Sequence, residues 1–163
     1  MKEPKSFFEK YNLYVELIGM SLVVRRVKLR DVKVLEDLFV QASGLSIERN
    51  GILRKVLKDA SNEFIVSEYN GEVVGFIHQI FVLDPFHGGL NSYIANLFVK
   101  ESSRNMGIGT QLVRKALENA EKRGVIEVHV DTEEDNMNAI RFYKNHGFRR
   151  VGVMFEKSFD ASR

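Results

Sequence analysis

The sequence predicts a mixed α/β domain, a central sheet with helices packed on it, and three observations carry that expectation. Phe64, Ile65 and Val66 lead through Asn70-Gly71 into Val73, Val74, Phe76 and Ile77. An Asn-Gly pair tolerates the positive backbone angles of a tight turn, so this stretch reads as a hairpin. From Gly107 to Arg123 the apolar residues Ile108, Leu112, Val113, Ala116, Leu117 and Ala120 recur at helical spacing,. Finally, strand-like and helix-like segments follow one another as β, α, α, three strands, α, β, α, β, the pattern of helices layered on a mixed sheet.

The remaining elements follow in order. Residues 1–20 read as an added extension, a short amphipathic helix carrying Phe7, Phe8, Tyr11, Tyr14, Val15 and Ile18,. Its apolar side suits packing on the domain or on a neighbouring subunit, as in a homodimer. Leu22 to Val27 reads as a strand, and Asp31 is placed to cap a helix built on Val34, Leu35, Leu38, Phe39 and Ala42,. A second helix is expected from Ser46 through Ala60, although Gly51 inside it costs about 1 kcal/mol relative to alanine. The breaker cluster Asp84–Asn91 holds one of two prolines in the chain and precedes a strand from Ser92 to Val99,. Val125–Val130 reads as a strand and Asn136–Asn145 as a short helix closed by Gly147. Phe148–Phe155 is expected to supply one or two last strands. The domain proper is therefore expected over residues 21–158, with a tail at 159–163.

Composition narrows the function. The 163 residues suit one domain, and 44 % hydrophobic with 28 % charged residues excludes a disordered chain,. A formal charge of +2 gives no reason to expect nucleic acid as a partner,. No apolar run approaches the roughly 18 residues that span a bilayer, and Glu3, Glu9 and Glu16 interrupt any signal-like region,. The expectation is a cytoplasmic protein without a membrane partner. With no cysteine and no close His/Asp/Glu ligand pattern, neither a metal site nor a thiol nucleophile is expected,. Ser102-Ser103 has no evident base partner and reads as turn.

The chemistry concentrates where the strand ending at Val99 turns into the helix of RNMGIGT. The first turn of a helix leaves backbone N–H groups unpaired and carries partial positive charge. Gly107 and Gly109 keep side chains away from those amides, and Arg104 adds a permanent charge,. The combination reads as a phosphate or pyrophosphate cradle. There is no GxxxxGK[ST] for a nucleoside triphosphate loop and no third glycine for a dinucleotide fingerprint. A bare GxG at such a turn is equally explained by packing.

The spacing R-x-x-G-x-G after a strand resembles the acyl-CoA-binding motif of the GNAT superfamily of N-acyltransferases. The segment Asn136–Phe148 is similar to that family's N-x-x-A-x-x-x-Y-x-x-x-G-F pattern, and the Asn-Gly hairpin before Val73-Val74-Gly75-Phe76 falls where the family has its second and third strands. The resemblance covers residues 21–155 and implies a GNAT-like fold with a mixed sheet of about seven strands. It implies acetyl-CoA as co-substrate and direct transfer of its acetyl group to a primary amine. It further implies that backbone groups of Leu97, Phe98 and Val99 bond the pantetheine arm. The amides of Arg104, Asn105, Met106, Gly107, Ile108, Gly109 and Thr110 then hold the pyrophosphate. Asn136, or Asn138 in its place, contacts the cofactor near the thiol, and Tyr143 returns a proton to the leaving thiolate. A phenol with a pKa near 10 suits that last task, whereas Phe142 reads as packing. Where family members often carry proline, this chain has Glu101, so the turn is expected to differ in shape.

The acceptor must arrive as a neutral amine, and some base or water chain must take its proton. Tyr93 stands where some relatives carry glutamate and is a poor base. His78, His87 and His129 remain open as alternatives. Another class of protein, a CoA-binding regulatory module without efficient transfer, would keep the same cradle.

Overall fold

The computed structural model describes residues 21–44 and 51–159, so the expected N-terminal helix and the start of the second helix lie outside the described residues. These residues form two compact units, one ending at His129 and the other beginning at Val130. In the first, β1 (Leu22–Arg26) is followed by α1 (Val32–Ser43) and the short α2 (Ile52–Val56). Then come β2 (Asn62–Tyr69), β3 (Glu72–Asp84), β4 (Gly89–Val99), α3 (Ile108–Lys122) and β5 (Val125–Val130), whose last residue opens the second unit. The strands lie in the order β1-β2-β3-β4-β5, antiparallel from β1 to β4. The connection from β4 to β5 runs through α3, the crossover that a parallel neighbour requires, and the sheet is mixed.

Alternation along β2 sorts the two faces. Phe64 and Val66 enter a core cluster with Phe76, Leu35 and Leu38 of α1 and Leu53 of α2. Glu63, on the opposite face, reaches α3: Asn119 Nδ2 donates to it at 3.0 Å and Arg123 Nη2 at 3.3 Å. Arg123 also lies 4.1 Å over the ring of Phe81. A buried carboxylate is tolerable because its oxygens are taken by these donors. Two bulges adjust the sheet. Val74 is an extra residue on β3, since Ser67 pairs with Gly75 and Glu68 with Val73. Ala95 is the extra residue on β4, since His78 pairs with Asn96 and Gln79 with Ile94,.

Three expectations change. Among the described residues the sheet has five strands, not about seven, and residues 149–159 form no strand. Their alternating Val151, Val153 and Phe155 are all exposed. Gly51 is not inside α2 but precedes it as its left-handed N-terminal residue, φ 64°, and α2 ends at Val56, short of Ala60. Asp31 does not cap α1 with its side chain. Its Oδ2 accepts from Lys28 N at 2.7 Å instead, closing the 3-10 turn Leu29–Asp31 that leads into the helix.

The second unit carries α4 (Met137–Asn145), capped by Asn136, whose Oδ1 accepts from Ala139 N at 3.1 Å. Such a cap contributes about 1 kcal/mol.

Candidate active site

The strand-to-helix turn after β4 has the features an anion cradle needs. Glu101–Ser103 forms one 3-10 turn. Asn105 and Gly107 both adopt positive φ, 62° and 72°, which bends the backbone sharply before α3,. Gly107 is the N-terminal cap and supplies no side-chain hydrogen bond. The first helical backbone bond runs from Gln111 N to Gly107 O, 3.1 Å. The N–H groups of Ile108, Gly109 and Thr110 therefore precede the ladder, as first-turn donors do. Ile108 is buried at this end of the helix.

Arg104 is exposed and partly committed: its Nε donates to Val99 O at 3.2 Å, tying the turn to the end of β4. Only the two terminal nitrogens of its fork are left to meet an anion. Leu97, Phe98 and Val99 pair with Ile77, Phe76 and Gly75 of β3. Gly75 is essential to that pairing, because a Cβ there would stand 2.7 Å from Phe98 O. In the sequence Gly75 is one residue of Val73-Val74-Gly75-Phe76, and nothing local marks it as the point of closest approach.

In the second unit, Tyr143 lies on α4 with its ring edge-on to Phe142 and Phe148, centroids 5.3 and 5.6 Å away. Burial, and then the Asp131 carboxylate, push its phenol up to about 12. The hydroxyl therefore stays protonated at any physiological pH and can act only as a proton donor. Asn136 spends its Oδ1 on the cap of α4, which leaves its Nδ2 for any other contact.

The three histidines raised as bases differ sharply. His78 is buried, stacks on Phe64 at 4.0 Å and is pushed down to about 4 by burial, so it cannot take a proton from an ammonium near neutrality. His87 sits in the β3–β4 loop with Nδ1 2.6 Å from Asp84 Oδ2, and that carboxylate raises its pKa. His129 pairs with Glu127 at 3.3 Å. Tyr93 pairs with Ile80 and so shares the sheet face of His78. Among the described residues no cluster of His, Asp and Glu could hold a metal ion, and no helix is long and apolar enough to cross a membrane.

Residues 29–148 match the acetyltransferase (GNAT) family, and the chain belongs to that family. Among individual relatives, human N-acetyltransferase 8 is 31 % identical over 111 residues, covering 68 % of this chain and 49 % of that protein. An uncharacterized N-acetyltransferase of Methanocaldococcus jannaschii is 36 % identical over 102 residues, 61 % of this chain and 44 % of that one. The chain thus spans about half the length of the curated relatives it matches. In fold it is similar to AAC(6')-Iy, solved with the bisubstrate analogue CoA-S-monomethyl-acetylneamine, at a TM-score of 0.76 and 17 % identity over 86 % of this chain and 99 % of that one.

Proposed function

We propose that this protein is a cytoplasmic N-acetyltransferase that moves the acetyl group of acetyl-CoA directly to a primary amine. The observation that supports it most is the uncapped first turn of α3, where Gly107 withholds a side chain and Ile108, Gly109 and Thr110 present backbone donors. In this reading the amides from Arg104 to Thr110 hold the pyrophosphate, and Leu97–Val99 bond the pantetheine arm along the strand. Asn136 contacts the cofactor through Nδ2. The CoA analogue bound to the structural relative supports the choice of co-substrate.

The amine nitrogen attacks the thioester carbonyl carbon, so a C–N bond forms and the C–S bond breaks. Charge developing on the carbonyl oxygen is stabilised by a strand amide near Leu97 or Phe98. The sulfur leaves as thiolate and takes the Tyr143 hydroxyl proton. The amine gives up its own proton to water or to an exposed histidine. His78 is excluded from that role by its depressed pKa.

Free-thiol release from acetyl-CoA, measured with neamine, an alanine-initiated peptide and spermidine as acceptors, tests the reading. Amine-dependent release supports the transferase and identifies the acceptor class. Tight CoA binding without release for any acceptor argues for the binding-module reading, and absence of CoA binding overturns both.

A further inference from the structure

A one-way chain of hydrogen bonds crosses the sheet beneath Asn96. Asp59 Oδ1 accepts from Ser61 Oγ at 2.8 Å, and Ser61 Oγ accepts from Asn62 Nδ2 at 3.1 Å. With its nitrogen so used, Asn62 turns Oδ1 to His78 Nε2, 2.7 Å away. An amide oxygen can only accept, so Nε2 carries the proton. The remaining ring nitrogen, Nδ1, must then accept, and Asn96 Nδ2 stands 3.3 Å from it. Each donor is oriented by the bond before it, back to the Asp59 carboxylate.

The ring at the centre has little freedom to break this order. His78 lies nearly parallel to Phe64, 9° between planes, and burial keeps it neutral, with a pKa of about 4. A neutral ring has one donor and one acceptor, the pair the chain needs. The bulge at Ala95 adds the last part. It shifts the phase of β4 so that Tyr93, opposite Ile80, and Asn96, opposite His78, come to the same face although they are three residues apart,. Asn96 is exposed there, immediately before Leu97. With Nδ2 committed to the ring, the amide of this exposed side chain has its Oδ1 left to accept.

We infer that Asn96 is the residue that orients the acceptor amine, its Oδ1 accepting one N–H, with His78 and Asn62 as positioning residues that fix the amide's direction. The inference rests on the transferase reading above. A primary amine has two N–H bonds and one lone pair. Holding one N–H from the strand side restricts where the lone pair points, which is the geometric demand of attack on a carbonyl.

The test uses the full chain, acetyl-CoA and whichever of neamine, the alanine-initiated peptide or spermidine supports thiol release. Asn96→Leu keeps side-chain size and removes both amide groups. It should raise the KM for the amine about tenfold, the loss of one hydrogen bond to substrate, with the KM for acetyl-CoA unchanged. His78→Phe keeps the stack on Phe64 and deletes the chain, and should shift the amine KM in the same direction by a smaller factor. A nitrogen-15 spectrum of the wild type should show His78 neutral with its proton on Nε2 from pH 5 to 8. An unchanged amine KM in Asn96→Leu overturns the inference, as does a proton on Nδ1. Wild-type protein that binds CoA but releases no thiol overturns the transferase reading, a result distinct from either of these.

Discussion

Both terminal nitrogens of Arg25 grip the carboxylate of Asp31, at 2.7 and 3.0 Å, and its Nε and Nη2 reach Glu68 Oε2 at 2.9 and 2.8 Å. The side chain of Asp31 is 5 % exposed, so this is a bidentate pair shielded from screening by salt. It pins the turn before α1 to the edge of the sheet. Asp31→Ala leaves the guanidinium with Glu68 and the Arg26 carbonyl, 3.3 Å from Nη1, and should cost about 3 kcal/mol, read as a shift in the denaturation midpoint.

The same pair sets an acid limit. Hydrogen bonds from Arg25, then the backbone of Lys28, hold the Asp31 carboxyl below its ordinary range despite burial. A group whose folded pKa is depressed stabilises the fold above its unfolded pKa, near 3.9, and that contribution is lost as pH falls through the lower folded value. Stability should therefore drop with acid below about pH 4, and less steeply in Asp31→Asn. Equal slopes in both proteins, by urea titration at several pH values, would remove Asp31 from the acid transition.

Gly75→Val should be among the most damaging single changes in the first unit. Its Cβ would meet Phe98 O at 2.7 Å and the Val99 side chain at 3.2 Å, and backbone cannot yield as a side-chain tip can. Overpacking of this kind costs about 1–3 kcal/mol. Because the displaced atoms belong to Phe98 and Val99, acetyl-CoA affinity measured by calorimetry should fall too.

Tyr143→Phe keeps the ring contacts with Phe142 and Phe148 and removes the proton. Turnover should fall by about a hundredfold, with acetyl-CoA affinity nearly intact. Since the phenol is pushed up to about 12, the wild-type rate should show no descending limb from Tyr143 below about pH 11. Equal turnover in the variant would end its role as acid.

A bulky residue at Gly109, such as Gly109→Leu, places a side chain on the first turn of α3. Acetyl-CoA binding should weaken by tenfold or more, about 1.4 kcal/mol at least, while the helix, which disfavours glycine, loses nothing in propensity. Unchanged affinity by calorimetry would move the pyrophosphate elsewhere.

What could be read from the residues alone was what local rules decide. The Asn-Gly turn is present, with φ of 50° at Asn70 and 83° at Gly71, because only such residues accept those angles. The helix expected over Gly107–Arg123 is Ile108–Lys122, its apolar face strong enough to fix both ends. The bulge at Ala95 was illegible, since a change of register depends on what packs against both faces of β4 at once. The hydrogen bonds of His78 were equally hidden: Asn62 and Asn96 lie 16 and 18 positions away in sequence. Asp31 shows the opposite failure. A good capping residue stood in the right place, but Arg25, six residues earlier, claimed its carboxylate.

The order of the strands also bears on how the chain is made. β2, β3 and β4 pair as a meander through the Asn70-Gly71 turn and the Pro85–Gly88 loop, so their pairing closes only short loops and can form early. The helix that covers their other face, α3, begins at Ile108 and emerges later from the ribosome. Once the chain has emerged as far as Lys100, the meander can pair while Ile65 and Ile77, opposite one another, still lack their cover. Exposed apolar surface of that kind is prone to aggregate, and the first turns of α3 cover it.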